Sequence, residues 1–208
     1  MANVKSTLYY IHDPMCSWCW GYRPVWLELK SALPSECAVT NVLGGLAPDS
    51  DEPMPEEMQK TIEATWHEIE TKLGTRFNYD FWTKCEPRRD TYKACRAVLI
   101  AAAHELEERM ILAIQRAYYL NAQNPSDIDT LVDLAIEVSL NGRSFRSALE
   151  SDDTDKLFIR QRKMAAYLDV TGFPSLRLKI EDEVHPITLD YQDYRVSLNE
   201  ILALTQVD

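Results

Sequence analysis

The sequence predicts an α/β chain in the order β-α-β, a long helical block, then β-β-α. Three observations carry that reading. Short runs of β-branched and aromatic residues lie near both ends, at Thr7 to His12, Ala38 to Leu43 and Ser175 to Leu189. Between them, apolar residues recur at helical spacing over most of the chain. Cys16 and Cys19 fall where the first strand gives way to the first helix.

Each element follows in order. Thr7 to His12 reads as a short buried strand that Asp13-Pro14 ends. Tyr22, Val25, Trp26, Leu29 and Leu33 mark a helix from Ser17, kinked by Pro24 and stopped at Pro34. Ala38 to Leu43 is a second strand, closed by Gly44-Gly45. Pro55 suits a helix start, and Met58, Ile62, Trp66, Ile69 and Leu73 form a stripe that Gly74 ends. Further stripes run through Tyr92, Cys95, Leu99, Ala102 and Leu106, through Met110 to Leu120, and through Ile128, Leu131, Ala135 and Val138. The last of these ends near Asn141-Gly142. Leu157, Gln161, Met164 and Leu168 trace another helix after the acidic segment Ser151 to Asp155. Gly172-Phe173-Pro174 introduces a strand from Ser175 to Ile180, which turns at Glu181-Asp182-Glu183 into Val184 to Leu189. Ser197-Leu198-Asn199-Glu200 has the pattern of a capping box opening the final helix.

Composition narrows the function classes. The chain has 208 residues, 46% apolar and 26% charged, which excludes a disordered protein, and 6 Gly with 10 Pro exclude a fibrous one. A chain of this length buries a core without disulfide staples. The net charge of -11, with no Lys/Arg cluster, argues against nucleic acid or an anionic membrane as partner. The apolar run Leu8 to Ile11 is too short for a signal peptide, and no run approaches the ~18 apolar residues of a membrane span, so a cytoplasmic protein is expected. Five cysteines are an odd number and fit a secreted disulfide framework poorly. In a reducing compartment, a Cys-x-x-Cys pair is catalytic or metal-binding more often than structural.

The placement of Cys16-Ser17-Trp18-Cys19 has a chemical meaning. A thiol at a helix N-terminus faces unpaired backbone N–H groups and the positive end of the helix dipole, both of which favour thiolate. A three-residue step puts Cys19 one turn further on, within bonding reach of Cys16. The outer cysteine then attacks a disulfide and the inner one resolves the mixed intermediate. Half a zinc site is the competing reading. It needs two more ligands, and Cys37, Cys85, Cys95 and the four histidines offer no second close pair, so no metal is expected.

On these residues the chain resembles the thioredoxin superfamily, and within it the DsbA-like branch. The resemblance spans essentially the whole length. It rests on the strand-Cys16-Ser17-Trp18-Cys19-helix arrangement, on Pro24 eight residues after Cys16, on Gly172-Phe173-Pro174 before the terminal hairpin, and on the long helical block. The chain looks most similar to the cytosolic FrnE-like, predicted protein-disulfide isomerase group. The segment Asp90 to Ala97 adds a weaker likeness. The resemblance implies a thioredoxin-like fold with a large helical insertion: residues 1–45 and 170–208 as one discontinuous domain, and 46–169 as a mostly helical subdomain. It also implies a cis Pro174 packed against the cysteine pair.

The function expected is a thiol–disulfide oxidoreductase, with Cys16 as nucleophile, Cys19 as resolving thiol, and Ser17, Trp18, Phe173 and Pro174 supporting the site. Its substrates are disulfide- or thiol-containing proteins or small molecules. No cofactor is implied beyond the redox-active pair itself, with glutathione a candidate co-substrate. The alternative is a glutathione-dependent transferase or isomerase of the kappa-class or hydroxychromene-carboxylate isomerase type. The second cysteine disfavours it, because that thiol would expel bound glutathione as a disulfide. A non-catalytic interaction protein ranks third. Two departures from the family stand out: Ser17-Trp18 lacks the histidine of strongly oxidising DsbA proteins, and Tyr10 stands six residues before Cys16, where relatives carry a buried carboxylate. His12 and Asp13 are the nearest replacements. Cys95 reads as a small core residue, His67 as a surface polar residue, and the acidic runs at Asp49 to Glu52 and Asp152-Asp153 as solvated.

Overall fold

A computed structural model describes residues 5–205; residues 1–4 and 206–208, the outer limits of the expected discontinuous domain, lie outside that range. Four strands, β1 (Ser6–His12), β2 (Cys37–Leu43), β3 (Ser175–Ile180) and β4 (Glu183–Ile187), form one sheet in the order β2-β1-β3-β4. β1 runs parallel to β2 and antiparallel to β3, so the earliest strand is central. Its composition suits that place. Leu8 and Tyr10 pack on Tyr22, Trp26 and Leu29 of α1 (Ser17–Ala32), while Ile11 packs on Val42, Ala165 and Leu168. A strand buried on both faces needs apolar residues at odd and even positions alike. Pro24 sits inside α1 as the sequence predicts.

The helical block comprises α2 (Glu56–Leu73), α3 (Phe81–Lys84), α4 (Tyr92–Ala102), α5 (Glu107–Tyr119), α6 (Ile128–Glu137), α7 (Gly142–Leu149) and α8 (Asp152–Tyr167). Its core lies around Trp66, Phe81, Val98, Met110, Tyr119 and Leu131, and takes in Met15 and Leu43 from the sheet side. α8 returns along β2 on one face of the sheet, and α9 (Tyr194–Thr205) packs beside α1 on the other. Among the described residues, no helix is long and apolar enough to cross a membrane.

Several local expectations need correction. The stripe drawn from Tyr92 to Leu106 stops at Ala102, because Glu105 turns left-handed (φ 60°) and Leu106 N–H bonds back to Ala101 C=O at 2.9 Å. Asn141 does not end a helix; its side chain accepts from Ser144 N–H and caps α7, which the apolar spacing did not reveal. On α8 the buried face is Thr154, Phe158 and Ala165, whereas Leu157 and Met164 are exposed. The Ser197 capping box is not formed either. α9 begins earlier, at Tyr194, so Ser197 lies inside it and donates to Thr188 C=O at 2.6 Å, while Glu200 accepts from Thr188 N–H at 2.7 Å. Both side chains serve to bind the end of the hairpin to the helix. The acidic run at Asp49 is not merely solvated, since Asp49 and Asp155 both bind Arg96 at 2.8–2.9 Å.

Candidate active site

β1 delivers the chain to one end of the sheet, where Asp13, Pro14 and Met15 turn it into α1. Asp13 organises that turn. Its backbone C=O accepts from Cys16 N–H at 3.0 Å and its Oδ1 from Met15 N–H at 2.8 Å. Oδ2 reaches outward to Leu46 N–H at 2.8 Å and to the Thr91 hydroxyl at 2.7 Å. Burial raises the Asp13 pKa above the usual carboxylate value, and these hydrogen bonds oppose the rise. The sequence places Asp13 in the turn but gives no sign that it spans three segments.

Cys16 occupies the N-cap position of α1, and its side chain makes no capping hydrogen bond to the first turn. Its thiol donates to Phe173 C=O at 3.4 Å, across 157 residues of sequence. Cys19 is fully buried; burial pushes its thiol pKa well up, and its hydrogen bond with Cys16 adds to the rise. Cys16, by contrast, retains 6% exposure, so it is the residue of the pair that solvent reaches.

Phe173 is held there by a glycine. A Cβ on Gly44 would lie 1.9 Å from the Phe173 ring, so only glycine at the end of β2 admits the ring. The Phe173–Pro174 bond is cis, and β3 starts at the next residue, with Ser175 opposite Ile11 of β1. Strand pairing thereby brings residues 173 and 174 beside the β1–α1 turn. Ser17 accepts from Trp66 Nε1 at 3.0 Å, fastening the start of α1 to α2. Trp18 is half-buried, edge-on to Tyr191 at 5.1 Å and 5.9 Å from Lys72 Nζ. Of the other tryptophans near the pair, Trp26 is core and Trp20 stacks on Tyr119.

All five cysteines are thiols. Cys37 lies in β2, and Cys85 donates to Ala122 C=O at 3.0 Å. Cys95 is buried as expected, but its sulfur is 3.7 Å from Asp13 Oδ2, a contact absent from any sequence pattern. His67 is exposed and stacks on Tyr79. Among the described residues, no group of three or more His, Cys, Asp or Glu is arranged to hold a metal ion. Sequence reasoning missed Arg23, Asn41 and Glu108, which gather with His12 in a small cavity next to Cys19. They lie on three different elements, and no spacing connects them.

The geometry has parallels among known proteins. The family model for a DSBA-like thioredoxin domain matches residues 9–188. A candidate protein disulfide isomerase from Nitrosomonas europaea is 27% identical, with a TM-score of 0.81 over 96% of this chain and 97% of that one. The cytosolic disulfide reductase DsbM from Pseudomonas aeruginosa is 25% identical, with a TM-score of 0.77 over 96% and 100%. DsbM has also been solved with GSH. The ClpXP adapter protein SpxH of Bacillus subtilis is 25% identical over 97% of this chain and 74% of its own.

Proposed function

Because this chain belongs to the DsbA-like thioredoxin domain family, we propose that it is a thiol–disulfide oxidoreductase working through Cys16 and Cys19. The observation that carries this reading is the Cys16 thiol at the start of α1, 3.4 Å from Phe173 C=O and backed by Cys19. Cys16 thiolate attacks one sulfur of a substrate disulfide, and the other substrate sulfur leaves as a thiolate. Cys19, once deprotonated, attacks Cys16 and releases the second substrate thiolate. Two electrons pass from the pair to the substrate; run backwards, the same steps oxidise a dithiol.

The backbone of Phe173 and Pro174 lines up an extended substrate segment. Proline has no N–H of its own to bond, which leaves the edge beside Cys16 to the backbone groups of Phe173 and the Pro174 carbonyl. Ser17 and Trp18 hold the start of α1 in register with that edge. The redox unit is residues 1–45 with 170–208, and the helical subdomain 46–169 covers it. Support comes from the apolar cluster on the α1 and α9 face of the sheet, whose buried residues all lie within those two segments. The likeness to DsbM favours cytoplasmic disulfides as substrates and glutathione as the small-molecule thiol.

A Cys19→Ser variant tests the reading. Incubated with cell extract or oxidised glutathione, it is expected to accumulate reductant-sensitive adducts on Cys16, while Cys16→Ser forms none. The absence of adducts, together with glutathione-dependent turnover of a chloronitrobenzene, moves the assignment to a transferase. The similarity to SpxH supports a second reading, an adapter that binds a protein without redox turnover. That reading predicts partner binding undiminished in Cys16→Ser.

A further inference from the structure

Cys19 has no exposed surface, yet resolving a mixed disulfide requires its proton to leave. A cavity of about 10 Å³, space for the centre of one water molecule, adjoins it. Tyr10, His12, Arg23, Asn41 and Glu108 line the cavity together with Cys19. Two atoms of this lining, His12 Nε2 and Asn41 Oδ1, are buried without a hydrogen-bond partner. Buried polar atoms left unpaired are uncommon, and here two of them share one small space. The His12 ring is 1% exposed and stacked on Tyr10 at 4.9 Å, which fixes its plane. At the outer end, Glu108 binds Lys30 at 2.7 Å and its side chain is 38% exposed, so this polar path opens to solvent.

We propose that this cavity is the proton route of Cys19, with His12 receiving the thiol's proton through one water and Glu108 forming the exit. The proposal rests on the oxidoreductase reading above and assigns the resolving step of that reaction. The Cys19 S–H bond breaks toward the water, and a proton of that water passes to His12 Nε2. The Cys19 thiolate then forms the bond to Cys16 Sγ as the Cys16–substrate bond breaks, and the substrate departs with the electron pair. The imidazolium returns its proton to solvent past Glu108. No outside oxidant enters, because the substrate disulfide takes both electrons.

The charges around His12 make it a transient carrier of the proton rather than its resting place. Burial holds its pKa down to about 4, so the resting ring is neutral and one of its nitrogens keeps a lone pair. Glu108, on α5, favours the imidazolium, and Arg23, on α1, opposes it. Other ionisable groups nearby are Tyr10 on β1, Lys30 on α1, Glu107 on α5, which Asn41 Nδ2 bonds at 2.9 Å, and, on the Cys19 side, Cys16 and the buried Asp13 carboxylate.

Single-turnover kinetics on the whole protein separate the two chemical steps. With oxidised glutathione as probe, Cys16 attack is followed by formation of the adduct, and Cys19 resolution by its decay, from acid to alkaline pH. His12→Gln keeps a polar side chain but takes up no proton. It is expected to slow resolution about tenfold or more near neutral pH while attack keeps its rate. The deficit narrows as pH rises, because hydroxide then deprotonates Cys19 directly. Glu108→Gln, at a half-exposed position, reads the same step independently and is expected to shift the pH profile of resolution. Wild-type resolution rates and profiles in both variants overturn the proposal, as does an equal slowing of attack and resolution in His12→Gln, which marks a merely structural role. If the wild type forms no adduct at all, the oxidoreductase reading fails and this inference falls with it.

Discussion

The Thr91 hydroxyl donates to Asp13 Oδ2 at 2.7 Å while its oxygen accepts from Leu46 and Ala47 N–H at 3.0 and 3.1 Å. One side chain at the start of α4 therefore joins the Cys16 turn to the loop after β2. Thr91→Val keeps the shape and removes all three bonds, leaving the Ala47 N–H unpaired while Leu46 N–H and Asp13 Oδ2 still bond each other. A loss of about 1–3 kcal/mol is expected in denaturant unfolding. A loss near zero would mean that the turn is held by other contacts.

His12 gives an acid-limb prediction independent of catalysis. Its folded pKa lies at about 4 against an ordinary 6.5, so the unfolded chain binds the proton more readily between those values. Stability therefore rises as pH climbs from about 4 to 6.5 and falls as pH is lowered through that window. The effect amounts to about 3 kcal/mol at most. In His12→Gln this part of the stability–pH curve is expected to flatten, measured by denaturant midpoints at a series of pH values.

Gly44→Ala places a methyl group where the Phe173 ring now lies. The ring has to move, and the Cys16–Phe173 contact moves with it. A destabilisation of about 1–3 kcal/mol is expected. Disulfide reduction should fall by more than the unfolded fraction accounts for, as a thiol-coupled reductase assay on folded protein would read. Unchanged turnover would detach Phe173 from the chemistry.

Ser17→Ala deprives the buried Trp66 indole of its acceptor. The expected cost is about 1–2 kcal/mol, accompanied by a change in tryptophan emission. Ser17→Thr, which restores a hydroxyl, should recover most of it.

Strands and the cysteine motif were legible because their signals are local. Thr7 to His12, Ala38 to Leu43 and Ser175 to Ile180 differ from β1, β2 and β3 by one residue at most. Helix ends were harder to read. Glu105, Ser139 and Asp169 all take left-handed backbone where glycine is the usual marker, so no glycine announces three of the stops. The Ser197 pattern misled for a related reason. A capping box and a pair of side chains bound to a neighbouring loop use the same residue types, and only Thr188 decides between them. At the site, Cys16, Cys19, Phe173 and Pro174 could be read from order along the chain. The Asp13–Thr91 link, the opening at Gly44 and the cavity beside His12 could not, since each joins elements that only the folded sheet brings together.

Sheet order also sets a timetable for synthesis. β1 can pair with β2 once residue 43 has emerged, but its other neighbour begins only at Ser175. At ribosomal speed the interval is on the order of ten seconds. Throughout it the nascent chain carries an open strand edge beside two thiols, with Phe173 not yet made. The helical block has local contacts and holds most of its core within itself, so it can consolidate during this wait. Pairing of β3 with β1, with β4 added outside it, then covers that edge and seats the carbonyl against Cys16.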